Sequence, residues 1–134
     1  MNLGDVMDEL AEAVDTISGL RVTGYYPGTI SPPSGWVDLP QSYTFDQTFG
    51  RGLDSMILEV WVAVTMLDHR TARNAITPYL AGSGASSVKA AIEGYTPTAY
   101  HNARVERAEF NVISVGGQDY LAATFMVNVT GSGT

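Results

Sequence analysis

The chain has 134 residues, 45% of them hydrophobic, which fits one ordinary globular domain able to fold without staples. It carries 7 Lys plus Arg against 14 Asp plus Glu, a formal net charge of -7, so a monomer repels a polyanion rather than gripping it. It contains no cysteine, which excludes disulfides, thiolate metal sites and thiol nucleophiles.

The first predicted element is a helix from Leu3 to Ile17. Leu3, Val6, Met7, Leu10, Val14 and Ile17 recur at helical spacing, occupying one arc at ~100° per residue. Asp5, Asp8, Glu9, Glu12 and Asp15 fall opposite, and Gly19 is a natural stop. A charge run of this kind is usually a solvated face; pairing with a neighbouring subunit and the lining of a pore are the other readings. The same acidic start lacks the basic region and apolar core of a secretory signal.

A short strand is expected at 20–25, then a loop from Pro27-Gly28 to Pro32-Pro33. Trp36 to Leu39 reads as a strand ended by Pro40, and Tyr43, Phe45 and Gln47 alternate as in a partly exposed strand broken by Gly50-Arg51-Gly52. Met56 to Met66, MILEVWVAVTM, is the strongest strand. Both of its faces are substantially apolar, which predicts a central position with cover on much of both sides. Glu59 and Asp68 interrupt the apolar runs, leaving them far short of the ~20 residues that span a bilayer.

Asp68 can cap a second helix starting near His69, with Ala72, Ile76 and Tyr79 on its buried face. Pro78 should kink or end it. Gly82-Ser83-Gly84 is a joint, and Ser86 or Ser87 caps a third helix with Val88, Ala91 and Ile92 inward and Gly94 as its stop. Residues 104–115 and 119–129 alternate around Gly116-Gly117, a good two-residue hairpin turn. Leu121, Ala123, Phe125, Val127 and Val129 form an apolar stripe. The expected architecture is α+β: a single mostly antiparallel, mixed sheet packed with about three helices. It forms one domain over 1–130, with 131–134 a flexible tail.

Catalytic chemistry finds little to stand on. His69 and His101 have no second histidine at metal-ligand spacing. The segment 82–89 resembles a phosphate loop in composition but lacks its Gly-Lys-Ser/Thr ending, and helix capping explains its serines. No Gly-x-Ser-x-Gly elbow is present. Glu106 and Glu109, three residues apart on a strand, should face opposite sides. No catalytic, cofactor or metal residues are therefore expected. The segment YTFDQTFGRGL, 43–53, is rich in the aromatics and arginine that anchor protein interfaces. Tyr43, Phe45, Phe49, Arg51 and Leu53, with Trp36 from the proline-flanked region, are the candidate subunit or tube contacts. The alternative is that these side chains pack on their own sheet.

Four stretches taken together carry a family resemblance: MNLGDVMDELAEAVDTISGLRV, SMILEVWVAVTMLDHRTARNAI, AGSGASSVKAAIEG and AEFNVISVGGQDYLAATFMVNV. In pattern and order, over nearly the whole chain, the sequence resembles tail terminator proteins of siphophages that infect actinobacteria. The resemblance implies an α/β fold with a sheet flanked by helices. It implies a homohexameric ring, a virion structural protein assembled in the host cytoplasm, with no enzymatic activity and no membrane partner. Such a ring sits on the last ring of the major tail (tube) protein and stops tube polymerisation. It then joins the tail to the head-tail connector, and genomic DNA passes through the lumen without specific binding. An acidic passage suits DNA that must slide without sticking. The competing expectations are another connector or head-closure component, and a small ligand-binding or enzymatic α+β domain. The last needs a concave pocket with convergent polar groups.

Overall fold

The computed structural model describes residues 1–45 and 52–132. The chain order is α1 (Leu3–Asp15), β1 (Arg21–Thr23), β2 (Ser34–Val37), β3 (Ser42–Thr44), β4 (Leu53–Thr65), α2 (His69–Ile76), a 3-10 turn (Thr77–Leu80), α3 (Val88–Glu93), β5 (Asn102–Val115) and β6 (Gln118–Ser132). The strands form one open sheet in the order β1-β2-β4-β6-β5, with β3 also paired to β4. Among the described residues only β1 and β2 run parallel, and the other neighbours are antiparallel. The expected α+β architecture is the one found.

The helices end where local chemistry says they should. Asn2 caps α1 by accepting the Asp5 N–H (3.0 Å), and the helix closes at Asp15, two residues before Ile17. Thr16 turns its hydroxyl back to the Ala13 carbonyl (2.7 Å), and Gly19 takes the left-handed φ of +82°. Asp68 caps α2 through the Thr71 N–H (2.8 Å). Pro78 converts the next turn to 3-10 geometry rather than letting the α-helix continue. Ser87, not Ser86, caps α3 by accepting the Ala90 N–H (3.0 Å), and its own hydroxyl donates to the Ala81 carbonyl.

The strand reading is corrected in four places. β1 is only three residues long, and β2 begins at Ser34 and stops at Val37, two residues before Leu39. Past Val37 the backbone still follows β4: Asp38 N–H donates to the Glu59 carbonyl (2.9 Å) and Gln41 N–H to the Ile57 carbonyl (2.8 Å). Pro40 has no N–H to give, so β2 and β3 are two pieces of one run along β4, interrupted at that residue. β6 extends to Ser132, so residues 131 and 132 are paired strand rather than tail. Gly131 pairs with Asp54, Ser132 with Leu53, and the Met1 ammonium donates to the Ser132 carbonyl (2.7 Å). Residues 133 and 134 lie outside the described residues. Gly116 and Gly117, both at positive φ (61° and 79°), make the tight hairpin turn.

Fourth, the cover on β4 is lopsided. Its even-numbered face, with Met56, Leu58, Val60, Val62 and Val64, packs with Phe125, Val127 and Val129 of β6 against Val6, Leu10, Val14, Ile76, Val88 and Ile92 of the helices. All three helices lie on that side. Among the described residues the opposite face has no helix. There the loop between β1 and β2 folds back, and Ile30 packs with Trp36, Ala63 and Tyr120 in a second small cluster, with Trp61 partly buried beside it. The apolar residues on both faces of β4 do make it central; on the second face Ser55 of β4 and Thr124 and Met126 of β6 are also buried, while Ile57, Glu59 and Trp61 stay half-buried.

Candidate interaction surface

The acidic face of α1 is largely spoken for within its own chain. Glu9 Oε1 accepts the Thr98 N–H (2.7 Å), and its Oε2 accepts the Thr98 hydroxyl (2.8 Å) and the Ala99 N–H (2.8 Å). Glu12 accepts from the Tyr95 hydroxyl (3.1 Å), and Asp15 from the Val22 N–H (3.2 Å). Three of the five carboxylates thus fasten α1 to β1 and to the segment leading into β5. Burial, with Glu12 and Glu9 adding negative charge, raises the Tyr95 pKa.

The polar groups weighed for chemistry are scattered. His69 starts α2 and His101 precedes β5, both exposed. Glu106 occupies a β-bulge between Val105 and Arg107, which shifts the strand alternation by one. Glu106 and Glu109 therefore share the helix-free face instead of lying on opposite faces. Glu106 accepts from Asn128 Nδ2 (3.3 Å), and Glu109 pairs with Arg107 (3.0 Å). Beside the bulge the Val105 N–H donates to Glu93 (3.0 Å), which also holds Lys89 (2.6 Å). The lysine bond leads in pulling the Glu93 carboxyl below its ordinary range. Among the described residues no three histidines or carboxylates group so as to hold a metal, and no helix is long and apolar enough to cross a membrane.

The sequence-derived interface residues divide. Trp36 is 3% exposed. It sits in β2 opposite Trp61 of β4, and the two indoles stack at 5.6 Å, so within the single chain it packs on its own sheet. Tyr43 is half-buried in β3 and donates its hydroxyl to the buried Asp54 carboxylate (2.8 Å). Burial, aided by Asp54, raises the Tyr43 pKa. Phe45 leans on Tyr43 (ring centroids 4.8 Å) and is 73% exposed. Leu53 is half-buried at the start of β4, opposite Ser132. Phe49 and Arg51 lie outside the described residues. Of the described candidates, Tyr43 and Phe45 come together beside one sheet edge, with only Phe45 projecting freely.

The other sheet edge holds residues that sequence reasoning did not single out. β5 is a 14-residue edge strand paired on one side only, to β6. Phe110 and Val112 stand opposite Ala123 and Leu121, on the face the helices cover elsewhere, yet they are 51% and 54% exposed. Large apolar residues this exposed on an unpaired edge invite association. Counting by twos from the inward Val105 puts Phe110 and Val112 on the opposite face; the extra residue at Glu106 turns them to the helix side, where they remain exposed.

No protein-family model matches the chain, and no curated protein matches its sequence.

Proposed function

We propose that this chain is a structural assembly subunit that works through its surfaces: a tail terminator forming a hexameric ring at the head-proximal end of a phage tail tube. The observation that carries the assembly reading is the pair of unlike sheet edges. One is the outer edge of the long β5, unpaired among the described residues, with bare Phe110 and Val112; the other is the short β1 and β3 side with Tyr43 and Phe45. A head-to-tail ring joins two different surfaces of each subunit, and unlike edges meet that need where a single self-complementary patch does not. The assignment to tail terminators within that class rests on the resemblance of the four sequence stretches. Within this reading the ring stops tube growth, connects the tail to the head-tail connector and leaves a passage for DNA. The net charge of -7 per chain keeps the ring from gripping that DNA.

The test is to add the purified protein to the tube protein from the same genome while tubes are growing. The proposal expects tubes whose elongation stops, with the added protein at one end only. A neighbouring connector or head-closure component leaves tube length unchanged, and a tube subunit enters along the whole length.

A further inference from the structure

The helix-free face of the sheet contains an aromatic corner. β2 and β4 set Trp36 opposite Trp61, their indole planes 12° apart, and Tyr26 from the preceding loop meets Trp36 edge-on at 5.2 Å and 70°. Ile113 and Val115, from the end of the hairpin, complete a cleft of about 340 Å³ with Asp38 at its rim. The Asp38 N–H bonds to the Glu59 carbonyl, placing these two residues across from each other at the end of β2. Glu59 lies two residues from Trp61 and so on the same strand face. Neither carboxylate has a cationic partner among the described residues. Asp38 accepts the neighbouring Leu39 N–H (3.2 Å), and Glu59 accepts from Gln41 Nε2 (3.1 Å).

We propose that this cleft receives an arginine side chain presented by a protein partner. Trp36 is itself 3% exposed and backs the cleft, leaving the exposed Tyr26 phenol and the partly buried Trp61 indole to meet a guest; such rings attract a cation through their quadrupole, and a planar guanidinium stacks on them better than an ammonium does. The aliphatic wall of Ile113 and Val115 suits the methylene stem. Asp38 and Glu59 supply negative charge at the same end, and the acidic balance of the whole chain adds long-range attraction. An anionic guest meets the reverse field. Trp61 Nε1 is buried with no hydrogen-bond partner among the described residues, so it is not presented to such a guest. This proposal stands apart from the ring: it concerns the face of the sheet, not its edges, and is tested on the free protein.

The experiment is a titration of the full, nitrogen-15-labelled chain with the capped peptide Gly-Arg-Gly, following the two indole N–H signals of its 2 tryptophans by NMR. The expected result is a saturable shift of both, with a dissociation constant of about 1–10 mM, as one cation–π site with a partly desolvated stem provides. The peptide with citrulline in place of arginine, the same shape without the charge, should bind at least about five-fold more weakly. Asp38→Asn and Tyr26→Ala, both outside the main core, should each weaken arginine binding about three-fold while leaving the remaining spectrum in place. A shift that does not saturate, equal binding of the citrulline peptide, or an Asp38→Asn chain that binds as the parent does would each overturn the proposal.

Discussion

Glu9 offers the sharpest test of the internal wiring. Its carboxylate accepts three hydrogen bonds from Thr98 and Ala99, and in doing so pins the segment that delivers the buried Tyr100 to the start of β5. Replacement by alanine strands the N–H of Ala99, which is partly buried. Hydrogen bonds to a charged group are each worth about 1.5–3 kcal/mol when well shielded. The site is half-buried, so solvent discounts that sum, and Glu9→Ala should cost about 2–3 kcal/mol in all. Glu9→Gln keeps the shape and one acceptor oxygen but turns an NH2 toward an N–H donor; it should cost about 1–2 kcal/mol. Urea denaturation followed by tryptophan fluorescence reads both, and amide exchange at Thr98 and Ala99 should quicken in step. A change under about 0.5 kcal/mol for Glu9→Ala, the level of an ordinary surface substitution, would show the carboxylate to be solvated and the clamp to be without weight.

Three further outcomes follow from the same structure. Burial first, with the negative charge of Glu9 and then Tyr95 adding, pushes Tyr100 up to about 12 from the ordinary 10.0. A folded pKa above the unfolded one gives stability that is intact below pH 10 and lost as pH rises toward 12. Denaturation midpoints should fall across that window by up to about 2–3 kcal/mol in free energy, and a Tyr100→Phe chain should lose that part of the slope and the latest part of the tyrosinate absorbance titration, while Tyr43, Tyr79 and Tyr95 still titrate above the ordinary range. Ser87→Ala removes the α3 cap and the bond to Ala81 and should lower stability by about 1–2 kcal/mol in urea denaturation. Phe110→Lys, on the bare part of β5, should leave monomer stability within about 0.5 kcal/mol while abolishing arrest of tube growth in the length assay; full arrest by this variant would remove β5 from the assembly surface.

The elements with strong local signals were legible in the sequence. The helical spacing of Val6, Leu10 and Val14, the caps at Asp68 and Ser87, the break at Pro78 and the glycine pair at the hairpin turn all act within a few residues, and each appears where its chemistry requires. What depends on distant chain was not legible. The residues after Val129 look like a polar tail until β4 supplies a partner for them. The acidic residues of α1 look solvated because their partners, Thr98 and Tyr95, lie more than eighty positions away, with separations of 89 and 83 residues. Alternation cannot reveal the bulge at Glu106, since the extra residue shows only against β6; without it, Glu106 and Glu109 are assigned to opposite faces. Composition grouped Phe45 with Trp36 and could not show that the first is exposed while the second is buried by stacking on Trp61 across the sheet.

The proposed role of the chain is to close into a collar at one end of a tube. Electron microscopy of tubes grown with the purified protein measures this most directly, by imaging and averaging their ends. The prediction is a single ring of six copies at one end of each tube and none along the shaft. Copies distributed along the shaft, or ends that average to bare tube at saturating protein, would contradict it.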